Sequence, residues 1–198
     1  MKHHLLLFLL FTIPFSSLNA QQSRFGVKGG LNLTTFNGKY ANQNTINTGF
    51  HFGVYTNVEI GNRFSIQPEL QFSVQGAEFE HSGDFEMELY YLNIPVIFKL
   101  YPTEKLSIHF GPQFGVFLRS KAELNGEKIG VDDKDLFEPS DTGIALGLAY
   151  ELENLNFGFR YIAGLTEVIF MEEKLGFPTD EAIKLRNQNL QFYVGYSF

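Results

Sequence analysis

The stretch Asn187–Phe198, NQNLQFYVGYSF, decides the fold. Leu190, Phe192, Val194, Tyr196 and Phe198 take every second position, with Asn189, Gln191, Tyr193, Gly195 and Ser197 between them. A period of two makes a β-strand with one apolar face. The run ends on an aromatic residue. That ending suits a transmembrane barrel, whose final strand must close the sheet and anchor at the membrane–water boundary. The competing reading is an amphipathic edge strand of a soluble sheet. The rest of the chain separates the two.

Seven further runs alternate in the same way. Phe25, Val27, Leu31 and Leu33 oppose Gly26, Lys28, Gly30, Asn32 and Thr34. Phe50 to Ile60, Phe64 to Gln75, Glu88 to Tyr101, Leu106 to Arg119, Asp141 to Leu152 and Leu155 to Thr166 repeat the pattern. Pro68 lies inside the third run, where it removes one ladder hydrogen bond. The connections alternate long and short: 37–47, 61–63, 76–86, 102–105, 120–140, 153–154 and 167–186. An antiparallel barrel with both termini at one end has that rhythm, with tight turns on one side and long loops on the other.

The two faces differ in charge. No Asp, Glu, Lys or Arg falls on the apolar register, whereas Lys28, Glu59, Glu69, Lys99, Arg119, Glu151 and Arg160 fall on the opposite one. A basic residue facing lipid at mid-depth costs about 2–4 kcal/mol, so a charge-free face is what lipid demands. A soluble eight-stranded barrel would carry the apolar face inside. Eight strands enclose room only for side chains, too little for so many Phe, Leu, Ile, Val and Tyr residues. The polar face, with most of the strand glycines, fits that space. The chain is therefore expected to be all-β, an eight-stranded antiparallel up-and-down transmembrane barrel of OmpA/OmpX-like architecture. The seven charged residues are expected to form a paired network across the lumen, structural or gating in role.

Composition agrees. Residues 1–20 open basic, run apolar from Leu5 to Phe15 and close on small and polar residues, the form of a secretory signal peptide removed near Ala20. The barrel domain is then 21–198. The 198 residues hold no Cys, which excludes disulfides, thiolate metal sites, a Cys nucleophile and a lipid-bearing Cys. A net charge of −7 argues against a nucleic-acid partner.

Candidates for chemistry are weak. His51 and His109 should point inward and, with Ser107 and Asp141, would suggest a hydrolase, but their spacing matches no motif. Asp132, Asp133, Asp135 and Glu138 lack the alternation and central Gly of a calcium loop. Gly26, Gly29 and Gly30 precede no helix, so they form no nucleotide loop. No cofactor or metal is expected.

Several stretches resemble the PorT-like family of outer-membrane β-barrel proteins. These are FGVKGGLNLT from Phe25, YYLNIPVIFKLYP from Tyr90, IHFGPQFGVFL from Ile108, LNFGFRYIAGL from Leu155, and the terminal YVGYSF. The resemblance implies a Gram-negative outer-membrane location and brings no catalytic residue set. The resulting expectation is a non-enzymatic barrel with both termini periplasmic. Its role would be binding, structural or envelope assembly through external loops; the alternatives are a small-solute, porin-like channel and, further off, a rim-sited hydrolase. Expected partners are outer-membrane lipid, an envelope or extracellular protein at the loops, and the barrel-assembly machinery, which reads Phe192, Val194, Tyr196 and Phe198.

Overall fold

The computed structural model describes residues 23–38, 44–79, 85–124, 127–129, 138–167, 169–171 and 183–198. The expected signal segment, the acidic stretch 132–135 and parts of the loops at 120–140 and 167–186 lie outside them. Eight long strands form one antiparallel sheet: β1 (Ser23–Gly38), β2 (Asn44–Glu59), β3 (Phe64–Phe79), β4 (Phe85–Thr103), β5 (Leu106–Leu124), β7 (Ser140–Leu152), β8 (Leu155–Gly164) and β10 (Ile183–Ser197). Two short strands add to its margin. β6 (Glu127–Ile129) pairs with β5, and β9 (Ile169–Met171) pairs with β10. The sheet closes where β10 pairs with β1, from Gly26↔Ser197 to Gly38↔Leu185. Closure leaves no long strand with an open edge, the condition for a sheet in hydrocarbon.

The strands run further than the hydrophobic alternation does. β2 begins at Asn44 rather than Phe50, β3 continues to Phe79, β4 starts at Phe85 and β5 reaches Leu124. Backbone pairing needs no apolar side chains, so hairpins extend past the region that lipid imprints on the sequence. Pro68 is accommodated between two neighbours. The β2–β3 register passes from Tyr55↔Glu69 to Val58↔Ile66 around it, and its ring faces outward.

The turns and chain ends share one end of the barrel. Gly61, with φ 74°, lies in the four-residue turn 60–63 that joins β2 to β3, a conformation that a Cβ disfavours. The exposed side chains form a continuous apolar belt. Phe52 is 56% exposed, Leu146 57%, Phe114 51% and Val194 48%. The polar face is buried instead: Asn32, Gln71, Ser107, Arg160 and Gln191 are all 0% exposed. Apolar out and polar in is the inverse of a water-soluble barrel, and the belt is the part that meets lipid.

Candidate functional site

The lumen is built around Glu69. Strand pleating puts Gln67, Glu69 and Gln71 of β3 on the inner face together. Arg160 of β8 reaches across to grip the carboxylate with both guanidinium nitrogens, Nη1 to Oε2 at 3.0 Å and Nη2 to Oε1 at 2.9 Å. Lys28 of β1 places Nζ 2.6 Å from Oε2. Gln67 donates to Oε1 at 2.7 Å, and Gln71 donates to Oε2. The three charged side chains are at most 1% exposed. Charge-assisted, bidentate pairing is the strongest arrangement available for a buried carboxylate. Tyr193 supports both cations with its ring, 4.5 Å from Lys28 Nζ and 5.6 Å from the Arg160 guanidinium.

A second pair lies nearer the turn end. Lys99 of β4 meets Glu151 of β7 at 2.5 Å, and Ser107 donates to the same carboxylate at 2.6 Å. Together the two groups hold three cations and two carboxylates. Below them a cavity of about 660 Å³ opens to the turn end, lined by Tyr55, Asn57, Tyr101 and Asn156. Glu59 stands at this mouth. It faces Arg24 at 3.7 Å, and both side chains are at least one-third exposed.

The opposite, loop end is closed by a different chemistry. Phe36, Met87, Leu89, Tyr91, Ala122 and Leu185 project inward there and are 0–4% exposed. The outward neighbours on β4 and β5 at this level are Glu88, Arg119 and Lys121. On β4 and β5 beyond the belt the faces therefore reverse, with Met87 and Leu89 inside and Glu88, Arg119 and Lys121 outside. The signal was present in the sequence. In FEMELYY the apolar residues Met87 and Leu89 alternate with Glu86 and Glu88, the opposite phase to the belt.

Arg119 corrects the expected network. The β4–β5 register shifts from Tyr91↔Phe117 to Tyr90↔Arg119. One extra residue in β5 makes a β-bulge, and every side chain after it changes face. Arg119 thus leaves the lumen and stacks on the outer wall, 4.4 Å from the Tyr90 ring centroid. Of the seven charged candidates, the structure brings Lys28, Glu69 and Arg160 together, pairs Lys99 with Glu151, sets Glu59 at the turn-end mouth and places Arg119 outside. Phe192, Val194 and Tyr196 lie on the outer face of β10 and Phe198 just past its end, at 41–71% exposure.

The hydrolase candidates do not assemble a relay. Ser107 Oγ is 2.8 Å from His109 Nε2, but the other ring nitrogen, Nδ1, faces the Tyr193 hydroxyl at 3.3 Å. The nearby carboxylate, Glu151, binds the serine rather than the histidine. A nucleophile–base–acid relay needs the acid on the imidazole. Asp141 pairs at the level of Gly115, six residues along β5 from His109, and accepts from Thr166 at 2.7 Å and Asn187 at 3.0 Å. His51 Nδ1 lies 2.8 Å from the Asn32 side-chain oxygen Oδ1. Among the described residues no three His, Cys, Asp or Glu side chains stand close enough to hold a metal.

The comparisons with known proteins follow the same line. A family model described as "Outer membrane protein beta-barrel domain" matches residues 19–169. Neisserial surface protein A is similar in structure, with a TM-score of 0.59 at 12% identity over 89% of this chain and 99% of that one. The outer membrane protein OprG from Pseudomonas aeruginosa gives 0.51 at 12% identity, over 90% and 97%. At that identity the likeness is one of fold. A search of curated proteins finds no match by sequence.

Proposed function

The chain belongs to the outer membrane protein beta-barrel domain family, and from that premise we propose a non-enzymatic barrel that works through its loop end rather than its lumen. The closed lumen carries this reading. A solute crossing it would have to part Glu69 from Lys28 and Arg160 and then pass the apolar side chains at Phe36, Leu89 and Leu185. Uncoupling one buried charge costs about 3–5 kcal/mol. The lumen is then a rigid strut, and binding belongs to the loops it holds apart. In this orientation the tight turns and both chain ends face the periplasm, and the long hairpins face outward. The outward side chains of β10 are the surface offered to the barrel-assembly machinery.

The porin-like alternative has the turn-end cavity in its favour, since a hydrated vestibule already reaches Lys99 and Glu151. Planar-bilayer recording separates the two. The strut predicts no stable, discrete conductance from the purified protein. Reproducible unitary steps would replace it with the channel.

A further inference from the structure

The β-bulge that expels Arg119 leaves a pair of cations on the outer wall at the upper limit of the belt. Lys121, two residues on, follows on the same face, about 7 Å away by strand geometry. Both sit over one aromatic ring: the Arg119 guanidinium is 4.4 Å and Lys121 Nζ 5.0 Å from the Tyr90 centroid. Phe72 braces that ring from the belt side at 6.0 Å. Directly below on the outer surface lie Val116, Leu118 and Ile94, 40–47% exposed.

The acids nearby belong to Lys121. Glu88 approaches its Nζ at 3.7 Å and accepts from the Tyr90 hydroxyl at 2.6 Å. Glu123 lies one same-face step further from the belt. Among the described residues no carboxylate comes within ion-pair reach of Arg119. It is the first charge met on leaving the apolar surface of β5.

We propose that Arg119, Lys121 and Tyr90 form a binding site for the phosphate of a membrane lipid headgroup in the leaflet at the loop end. The site needs only that the belt lie in a bilayer, and holds whichever way the loop end faces. Three features match that ligand. A planar guanidinium presents two parallel donors to phosphate oxygens. The shared ring holds both like charges in place, and an anion between them relieves their repulsion. The acyl chains of such a lipid would run down over Leu118, Val116 and Ile94, so the head is delivered at the right height. A free phosphate ion satisfies the first two features and not the third.

The test is native mass spectrometry of the full chain released from phosphatidylcholine nanodiscs doped with phosphatidic acid. Wild type should retain phosphatidic acid over phosphatidylcholine. Arg119→Gln should lower that retention roughly fivefold, the expected share of one basic residue at an anionic surface. Arg119→Lys should recover only part of it. Lys105→Gln, an equal charge change in the β4–β5 turn, should leave retention within about twofold. Retention by Arg119→Gln equal to wild type, or an equal loss in Lys105→Gln, overturns the site. So does inorganic phosphate at millimolar concentration displacing the lipid completely, because that would make the ligand the free ion. Cold-SDS gel mobility of each variant reports separately whether the barrel itself is folded.

Discussion

Replacing Glu69 by Gln keeps the shape of the central side chain and removes its charge. Lys28 and Arg160 would then remain at 0–1% side-chain exposure with no counter-ion. Leaving a buried charge unpaired costs about 3–5 kcal/mol. The amide oxygen can still accept one bond from Arg160, so about 4 kcal/mol is expected for the loss of two cation contacts to one carboxylate. With a urea slope of about 2 kcal/mol/M, that lowers the unfolding midpoint by about 2 M. The assay is urea unfolding in lipid vesicles followed by tyrosine fluorescence, since the chain has 9 Tyr and no Trp. Two controls frame the value. Glu59→Gln breaks only the exposed 3.7 Å pair with Arg24 and should cost less than about 1 kcal/mol. The triple change Lys28→Met, Glu69→Leu, Arg160→Met removes all three charges and should regain most of the loss, because apolar packing often equals a buried ionic group. A Glu69→Gln midpoint within about 0.5 M of wild type, or a triple variant no better than the single one, would refute the reasoning.

Three further outcomes are expected. Leu146→Lys places an ammonium on the mid-belt, where the native side chain is 57% exposed, and should cost about 2–4 kcal/mol in vesicles while leaving the lumen untouched; equal stability would mean that this face does not meet lipid. Gly158→Val would drive a Cβ into the Tyr193 hydroxyl and the ring carbon that bears it and should destabilise by about 1–3 kcal/mol, with the two costs less than additive when Tyr193→Leu is combined with it; thermal unfolding of the single and double variants reads this out. Phe198→Ala removes a ring stacked 6.1 Å from Phe25 across the closing seam, so about 0.5–1.5 kcal/mol and a slower insertion into vesicles are expected; unchanged insertion kinetics would show that the final aromatic has no part in assembly.

Much of the barrel could be read from parity alone. Lipid on one side and a narrow lumen on the other imprint a strict period of two, so the outward course of Phe52, Leu146 or Val194 followed from counting. Parity also put Lys28, Glu69, Lys99 and Arg160 on one face. It could not say that Glu69 collects two cations while Glu151 takes the third, because those contacts cross the barrel between strands far apart in sequence. Arg119 was misplaced for a local reason. Val116, Phe117 and Leu118 are three apolar residues in a row, which interrupts the alternation without saying to which face Arg119 turns, and no glycine sits at the bulge itself. The strand extensions at 44–47 and 76–79 read as loops in the sequence because no lipid acts on them.

The change of phase on β4 also fixes the height at which the molecule sits. Below Tyr90 the outer wall dissolves in hydrocarbon; above it the outer wall dissolves in water. Moving the barrel inward by one same-face step, roughly 5 Å after tilt, would carry the Arg119 guanidinium toward hydrocarbon, and moving it outward would strand Leu118 and Val116 in water. Each displacement is opposed by a different solvent. The wall thus carries its own waterline, drawn by two residues of β4 and one bulge in β5, and the loops beyond it are held at a fixed distance from the bilayer.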